Sequence, residues 1–412
     1  MPETYDFAVV GGGASGMAAA VAAAECGDRV LLLERSSALG KKISASGNGR
    51  CNLMNTGNAV YYGDTSFSAD VISFFPQKEL MRFWKRMGIV LSEDASGRVY
   101  PFTLQSSTIL DALKSKLKMF HTDIRLQSEV THILREKESF LLSAADQTHF
   151  YARRILISCG GKASPKLGGT DSGYRLLSSF GHSITPLHPA LCPLCTDTRS
   201  VSGLSGIRVR CGIRLVDNTG DCLYETRGEV LFTDYGISGI CAMQCARFVV
   251  SDGFAAELDL TDGLFSSSGQ VMAYLRGRRE QFAELSPEYL LNGLLMPRLS
   301  FAVLKQAGVQ TRGLKTGDLS DQVLLSVSER LRCYILKITG TRGLTDAQVT
   351  AGGADCNEFY PSNLESKFIP GLHAAGEVLN VDGDCGGFNL MFAFSSGILA
   401  GRNNRTVKEV SE

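Results

Sequence analysis

Residues 5–10 form an apolar run, interrupted only by Asp6, that stops at Gly11-Gly12-Gly13-Ala14-Ser15-Gly16, and an alanine-rich stretch, 15–26, follows with Gly27 placed to end it. This pattern predicts a buried strand, a tight loop and a helix. A second apolar run, 29–33 (RVLLL), is closed by Glu34, so the chain opens on a βαβ unit. Two helical periods come later. In 77–87, Leu80, Phe83, Trp84 and Met87 share a face; in 106–120, Ile109, Leu113, Leu117 and Phe120 do. Residues 123–153 alternate in short runs between polar turns and predict a small antiparallel meander. Residues 155–158 then return as a buried strand into Cys159-Gly160-Gly161.

The texture changes near Pro189. Residues 207–232 read as strands broken at Asn218-Thr219-Gly220, 267–331 as helices with Pro287 and Pro297 as breaks, and 333–339 as strand. After Ala351 a glycine-rich βα texture returns, ending in a helix over about 390–401. The fold class is therefore α/β: a doubly wound, Rossmann-like domain built from both chain ends, with an inserted domain of strands and helices. The expected boundaries are 1–190 and 345–412 for the two-ended domain and 191–344 for the insertion.

The 42 Lys+Arg balance 42 Asp+Glu, so the formal charge is zero. A nucleic acid or an anionic membrane calls for a basic excess, and neither is expected as a partner. The 44 glycines among 412 residues, with no collagen period, point to tight turns and close backbone approaches to a ligand. No basic stretch followed by an apolar one opens the chain, and no segment reaches the about 18 apolar residues of a membrane span. A cytoplasmic protein is expected, with its 12 cysteines as thiols. Cys192-x-x-Cys195 and Cys241-x3-Cys245 lack knuckle-like turns, so no metal is expected.

Gly11-x-Gly13-x-x-Gly16 is weak as a bare pattern, but here it follows a strand, opens a helix, and has an acid at the end of the next strand. The first glycine makes the turn, the second admits a pyrophosphate, and the third lets the helix pack on the strand. The helix N-terminus then faces the phosphates, and Glu34 accepts from the adenosine ribose. Near the other end, residues 370–377 read as a short strand ending at Gly376-Glu377, followed by Asp382-Gly383, Gly386-Gly387-Phe388-Asn389-Leu390 and the last helix. A Gly-acid turn suits ribityl hydroxyls and a helix N-terminus suits a flavin pyrimidine, which argues for FAD. The polar loop Ser44-Ala45-Ser46-Gly47-Asn48-Gly49-Arg50-Cys51-Asn52 adds donors for phosphate or flavin carbonyls.

With Gly40-Lys41-Lys42, Gly97-Arg98-Val99-Tyr100-Pro101, Gly160-Gly161 and Lys162-Ala163-Ser164-Pro165, these runs resemble the BaiN/YhiN-type, aminoacetone-oxidase-like flavoproteins over nearly the whole chain. The resemblance implies FAD in the two-ended domain, a β-barrel-like and a helical part in the insertion, and oxidoreductase activity on steroid-type enones or on amines. It also implies that the Val130 backbone lies against the adenine. Phe392-Ala393-Phe394 departs from the pattern, since many relatives carry tryptophans there.

The candidate cofactor-binding set comprises Gly11, Gly13, Ala14, Ser15, Gly16, Glu34 and Arg35; Lys41, Lys42, Ser46, Gly47, Asn48, Arg50, Cys51 and Asn52; Val130, Cys159, Gly160 and Gly161; and Gly376, Glu377, Asp382, Gly387, Phe388, Asn389 and Leu390. Arg35 reads as a solvated charge rather than an NADP phosphate ligand. No second glycine fingerprint follows a later strand, so NADH or NADPH would dock transiently as electron donor. The leading expectation is NAD(P)H-driven hydride transfer through flavin N5 to an electron-poor small molecule such as a steroid- or bile-acid-type enone. A flavin oxidase of a small amine and a non-catalytic or RNA-associated flavoprotein are the alternatives. No catalytic residue is assigned, and a thiol relay through Cys51 and Cys385 is not expected.

Overall fold

The computed structural model describes residues 4–405. Up to Pro189 and from Gln348 onward the chain forms one compact unit, and Ala190–Ala347 forms another.

The first unit is built on β1 (Thr4–Val10), α1 (Ala14–Glu25) and β2 (Val30–Glu34). β2 and the strand His149–Ile157 flank β1, both parallel to it. The strand His149–Ile157 divides its partners along its length. Residues 149–152 pair antiparallel with Ser139–Ala144, and 155–157 pair parallel with Leu372–Ala374 from the other end of the chain. Val130–Glu136 completes that side. The expected meander therefore begins at Val130. Asp123–Leu126 instead joins the opposite edge, parallel to β2, because the helix Ser106–Met119 before it acts as the crossover that parallel pairing requires.

Register aligns the strand ends. Leu33, Val10, Ile157 and Ala374 lie side by side, so the turns after all four strands leave from one edge of the sheet. In open parallel sheets that carboxyl edge is where ligands bind.

Small residues set the closest packing. An added Cβ on Gly397 of the terminal helix Phe388–Arg402 would sit 2.2 Å from Ser15 O, and one on Gly401 2.3 Å from Ala19 O. The alanine-rich α1 and these two glycines thus let two helix backbones touch. Trp84 is wholly buried and meets Phe394 edge-on at 4.8 Å, an aromatic pair worth about 0.5–1.5 kcal/mol beyond its buried area.

The second unit holds a closed antiparallel barrel, ordered Leu194–Thr196, Gly236–Ser238, Cys222–Phe232, Arg208–Val216, Ala255–Asp259, Tyr334–Thr341. Helices Ser268–Gln281, Pro297–Gln306 and Asp321–Arg332 lie between its last two strands in sequence. Pro297 opens its helix rather than breaking one, since a first-turn residue needs no N–H partner. The α/β class with a barrel-bearing insertion is the architecture the sequence predicts. Among the described residues no helix is long and apolar enough to cross a membrane, and no group of three or more His, Cys, Asp or Glu is placed to hold a metal ion.

Candidate cofactor site

The three glycines of the first turn do different work. Gly11 has φ +109°, and a Cβ there would meet Ser158 O at 2.5 Å; a Cβ on Gly16 would meet Gly11 O at 1.9 Å. The fold itself therefore excludes side chains at both. Gly13 has an ordinary φ of −83° and nothing within 4 Å of an added Cβ. Its bareness serves no neighbour in the protein. Gly13 is also the N-cap of α1, and no side chain caps that helix, so the first N–H groups remain available to an anion.

Glu34 closes this end. Its Oε2 accepts from Gly12 N at 2.8 Å and its Oε1 from Ser36 N at 2.7 Å, which aims the carboxylate across the turn. Its backbone carbonyl takes the Ser128 N–H, which brings buried Val130 near the same end. Arg35 is exposed and donates to the carbonyls of Gly168 and Gly169. The Ser15 hydroxyl donates to Ala375 O at 3.3 Å, so Ser15 has its backbone to offer a ligand.

At the centre, Lys42 Nζ lies 2.9 Å from Glu377 Oε2 and 3.2 Å from Oε1. Glu377 Oε1 also accepts from Thr350 N at 3.0 Å, and a Cβ on Gly161 would fall 2.4 Å from that oxygen. Thr350 was not legible in the sequence, because nothing in its surroundings marks it and the contact is purely tertiary. Gly160 has φ +72° and open space beside it, and Lys41, Cys159 and Gly160 are half-buried.

The far end is the N-terminus of the terminal helix. A Cβ on Gly387 would meet Met54 O at 2.5 Å and Asn52 Oδ1 at 2.7 Å, and Asn52 Oδ1 is buried without a hydrogen-bond partner. Asn389 clamps Gly383 reciprocally, accepting from its N at 2.9 Å and donating to its O at 2.7 Å. Phe388 is buried, and its carbonyl accepts from Tyr61 Oη at 3.1 Å. Asp382 is buried opposite Tyr62 in a short strand pair, and Leu390 is half-buried. Asn55 was also missed, although it continues the Ser46–Asn52 run; its Nδ2 donates to Gly386 O at 2.9 Å.

Not every loop residue turns inward. Asn48 and Arg50 are exposed, and Arg50 stacks over Tyr100 at 5.3 Å while donating to Gly47 O. Gly47 and Asn48 both have φ of 56°, and Ser46 Oγ is held by Ile43 O. Cys51 is fully buried, and burial pushes its thiol up to about 12. Phe392 and Phe394 face the core, leaving Ala393 half-buried.

The polar groups fit a dinucleotide flavin: free N–H donors behind an open glycine at a helix N-terminus, an acid acceptor at the end of the next strand, and an orphaned amide oxygen acceptor at the second helix N-terminus. The fold and the first glycine turn define an α/β protein of the dinucleotide-binding type. The chain belongs to the HI0933-like family: the model of the HI0933-like protein Rossmann domain matches residues 5–403. That is the family the motifs point to, and it is an oxidoreductase family. The chain is 32% identical over 404 residues to the 3-dehydro-bile acid delta(4,6)-reductase of Clostridium scindens, covering 96% of this chain and 97% of the relative. It is 28% identical over 400 residues to the ribosomal RNA dihydrouridine synthase of Escherichia coli, covering 96% of each. The 3-ketosteroid-delta4-(5alpha)-dehydrogenase of Rhodococcus jostii superposes with a TM-score of 0.50 at 15% identity over 97% of both chains, a likeness of fold.

Proposed function

We propose that this chain is an FAD-dependent reductase that saturates a C=C bond conjugated to a carbonyl, with NADH or NADPH as electron donor and a small molecule as substrate. The observation that carries the cofactor assignment is Gly13, whose missing side chain leaves room that no protein atom uses. The names of the two relatives above support the reaction class, since each describes saturation of such a bond. FAD, when bound, supplies the two-electron hydride chemistry that side chains lack.

The chain's own residues bind, orient and screen. The N–H groups opening α1 would hold the pyrophosphate, and the free lone pairs of Glu34 would accept from the ribose. Lys42 and Glu377, joined as an ion pair beside Thr350, offer ammonium donors and carboxylate acceptors without a net charge. Asn52 and the N-terminus of the terminal helix would receive the pyrimidine edge, where a positive dipole end favours developing negative charge. Cys51, buried and protonated at neutral pH, packs rather than reacts.

A uridine in ribosomal RNA is the second substrate reading, favoured by the name of the Escherichia coli relative. The even charge count offers no overall basic excess for a phosphate backbone, so the small-molecule reading leads. The test is to purify the protein, identify the released nucleotide, reduce it anaerobically with NADH or NADPH, and offer a 3-oxo-4-ene steroid or a uridine-containing ribosomal RNA fragment. Reoxidation by the steroid is expected. Reoxidation by the RNA alone replaces the substrate, fast reoxidation by air alone replaces the reductase with an oxidase, and a colourless protein that FAD cannot reconstitute overturns the cofactor.

A further inference from the structure

Of the segment Gly97-Arg98-Val99-Tyr100-Pro101 only Tyr100, under Arg50, touches the residues described above through its side chain, yet the fold brings Arg98 beside Asn55 as well. Arg98–Pro101 pairs antiparallel with Met54–Asn55, so Arg98 stands opposite Asn55 with its side chain on the same face. Gly97, at φ +75°, makes the turn that permits this, and a Cβ there would strike Asn55 Oδ1 at 2.8 Å. The Asp94 carboxylate holds the turn by accepting from the backbone N of Ser96 and of Arg98.

Asn55 is 5% exposed and fully engaged, its Nδ2 on Gly386 O and its Oδ1 on Gly57 N. Beside it, Arg98 Nε lies 3.9 Å from where a Cβ on Gly386 would stand. The guanidinium is half-buried and makes no hydrogen bond or ion pair with another described residue. It is close enough to Cys385 to pull that thiol down against the burial that raises it. A guanidinium that feels the Asp94 carboxylate only at a distance, with its N–H donors unused by the described residues, is thus held next to the Gly386-Gly387 lead-in of the terminal helix, near the Gly387 that Asn52 Oδ1 faces.

We propose that Arg98 is an oxyanion anchor, holding a carbonyl oxygen that gains negative charge during the reaction. This rests on flavin occupying the cleft. In the substrate, hydride adds to the carbon β to the carbonyl with its own electron pair, and the C=C π pair shifts to leave an enolate oxygen. A solvent proton at the α-carbon then collapses the enolate to the saturated ketone. The hydride donor is the two-electron-reduced flavin. The other source of the same chemistry is the pyrimidine carbonyl of the cofactor, which gains charge on reduction. A guanidinium can hold either through charge-assisted hydrogen bonds.

Two measurements that need no turnover separate the sources. One titrates the oxidised holoenzyme with p-chlorophenol, whose phenolate mimics an enolate and is followed by its long-wavelength charge-transfer absorbance. The other is the midpoint potential of the flavin. If the oxygen is the substrate's, Arg98→Met weakens phenolate binding at least about tenfold with an unchanged potential. If it is the cofactor's, phenolate binding stays and the potential falls by about 30 mV, a tenfold change for a two-electron couple. Arg98→Gln carries the same test if Arg98→Met does not fold. A FAD-loaded variant unchanged in both measurements overturns the anchor alone; a wild type that binds no FAD overturns the cofactor reading itself.

Discussion

Gly13 and Gly16 belong to one motif, and the structure predicts opposite consequences for giving each a methyl group. At Gly16 the new Cβ would stand 1.9 Å from Gly11 O, backbone that cannot yield without moving α1 off β1. Overpacking of this kind costs about 1–3 kcal/mol or more. At Gly13 the Cβ enters open space at φ −83°. The gain from a less flexible unfolded chain, about 0.4–1 kcal/mol, offsets the few tenths to 1 kcal/mol that alanine loses as an N-cap. Apo Gly13→Ala should therefore melt within about 1 kcal/mol of the wild type, while apo Gly16→Ala melts clearly lower. FAD binding should divide them the other way. The methyl at Gly13 occupies the approach of a phosphate and removes at least one charge-assisted hydrogen bond, about 1.5–3 kcal/mol, so affinity drops roughly 10- to 100-fold. Denaturant melts of the apoproteins and FAD titration by fluorescence quenching measure both quantities. The reasoning is refuted if folded Gly13→Ala binds FAD like the wild type, or if it is as unstable as Gly16→Ala.

Glu34→Ala should lower FAD affinity at least about tenfold by removing a charged acceptor, and calorimetric titration checks it. His373 is fully buried, and that burial, with Arg154 nearby, lowers its pKa to about 4 while its Nδ1 rests on Asn363 O. Its folded value lies below its unfolded one, so the stability it contributes is present above about pH 6.5 and is lost as pH falls through about 4. Melting temperature should fall over that window, and less steeply in His373→Gln; parallel profiles would remove His373 as the cause. The Cys51→Ser, Cys385→Ser double variant should keep FAD and most of its turnover, as stopped-flow reoxidation will measure, because burial raises both thiols and disfavours the thiolate a relay needs. A variant reduced by NADH that cannot pass electrons onward would restore the relay.

What the sequence determined by itself was local or periodic. The βαβ opening, Glu34 at its end, the paired amphipathic helices and the Gly-rich lead-in to the last helix are readable because each occupies consecutive residues whose period or turn chemistry is set by the backbone. The return of βα texture after Ala351 likewise made the two-ended domain legible, since a chain must re-enter a sheet it has left. Pairing across distance was not readable. Asp123–Leu126 looked like the start of a meander and became an edge strand of the parallel sheet, because short alternating runs do not encode their partner. Thr350 under Glu377, Asn55 on Gly386 and Arg98 opposite Asn55 come from segments far apart in sequence that only the folded chain brings together. The same holds for the glycines: one motif supplied all three, but only packing decided that Gly11 and Gly16 answer to the protein's own backbone while Gly13 faces space left for something else.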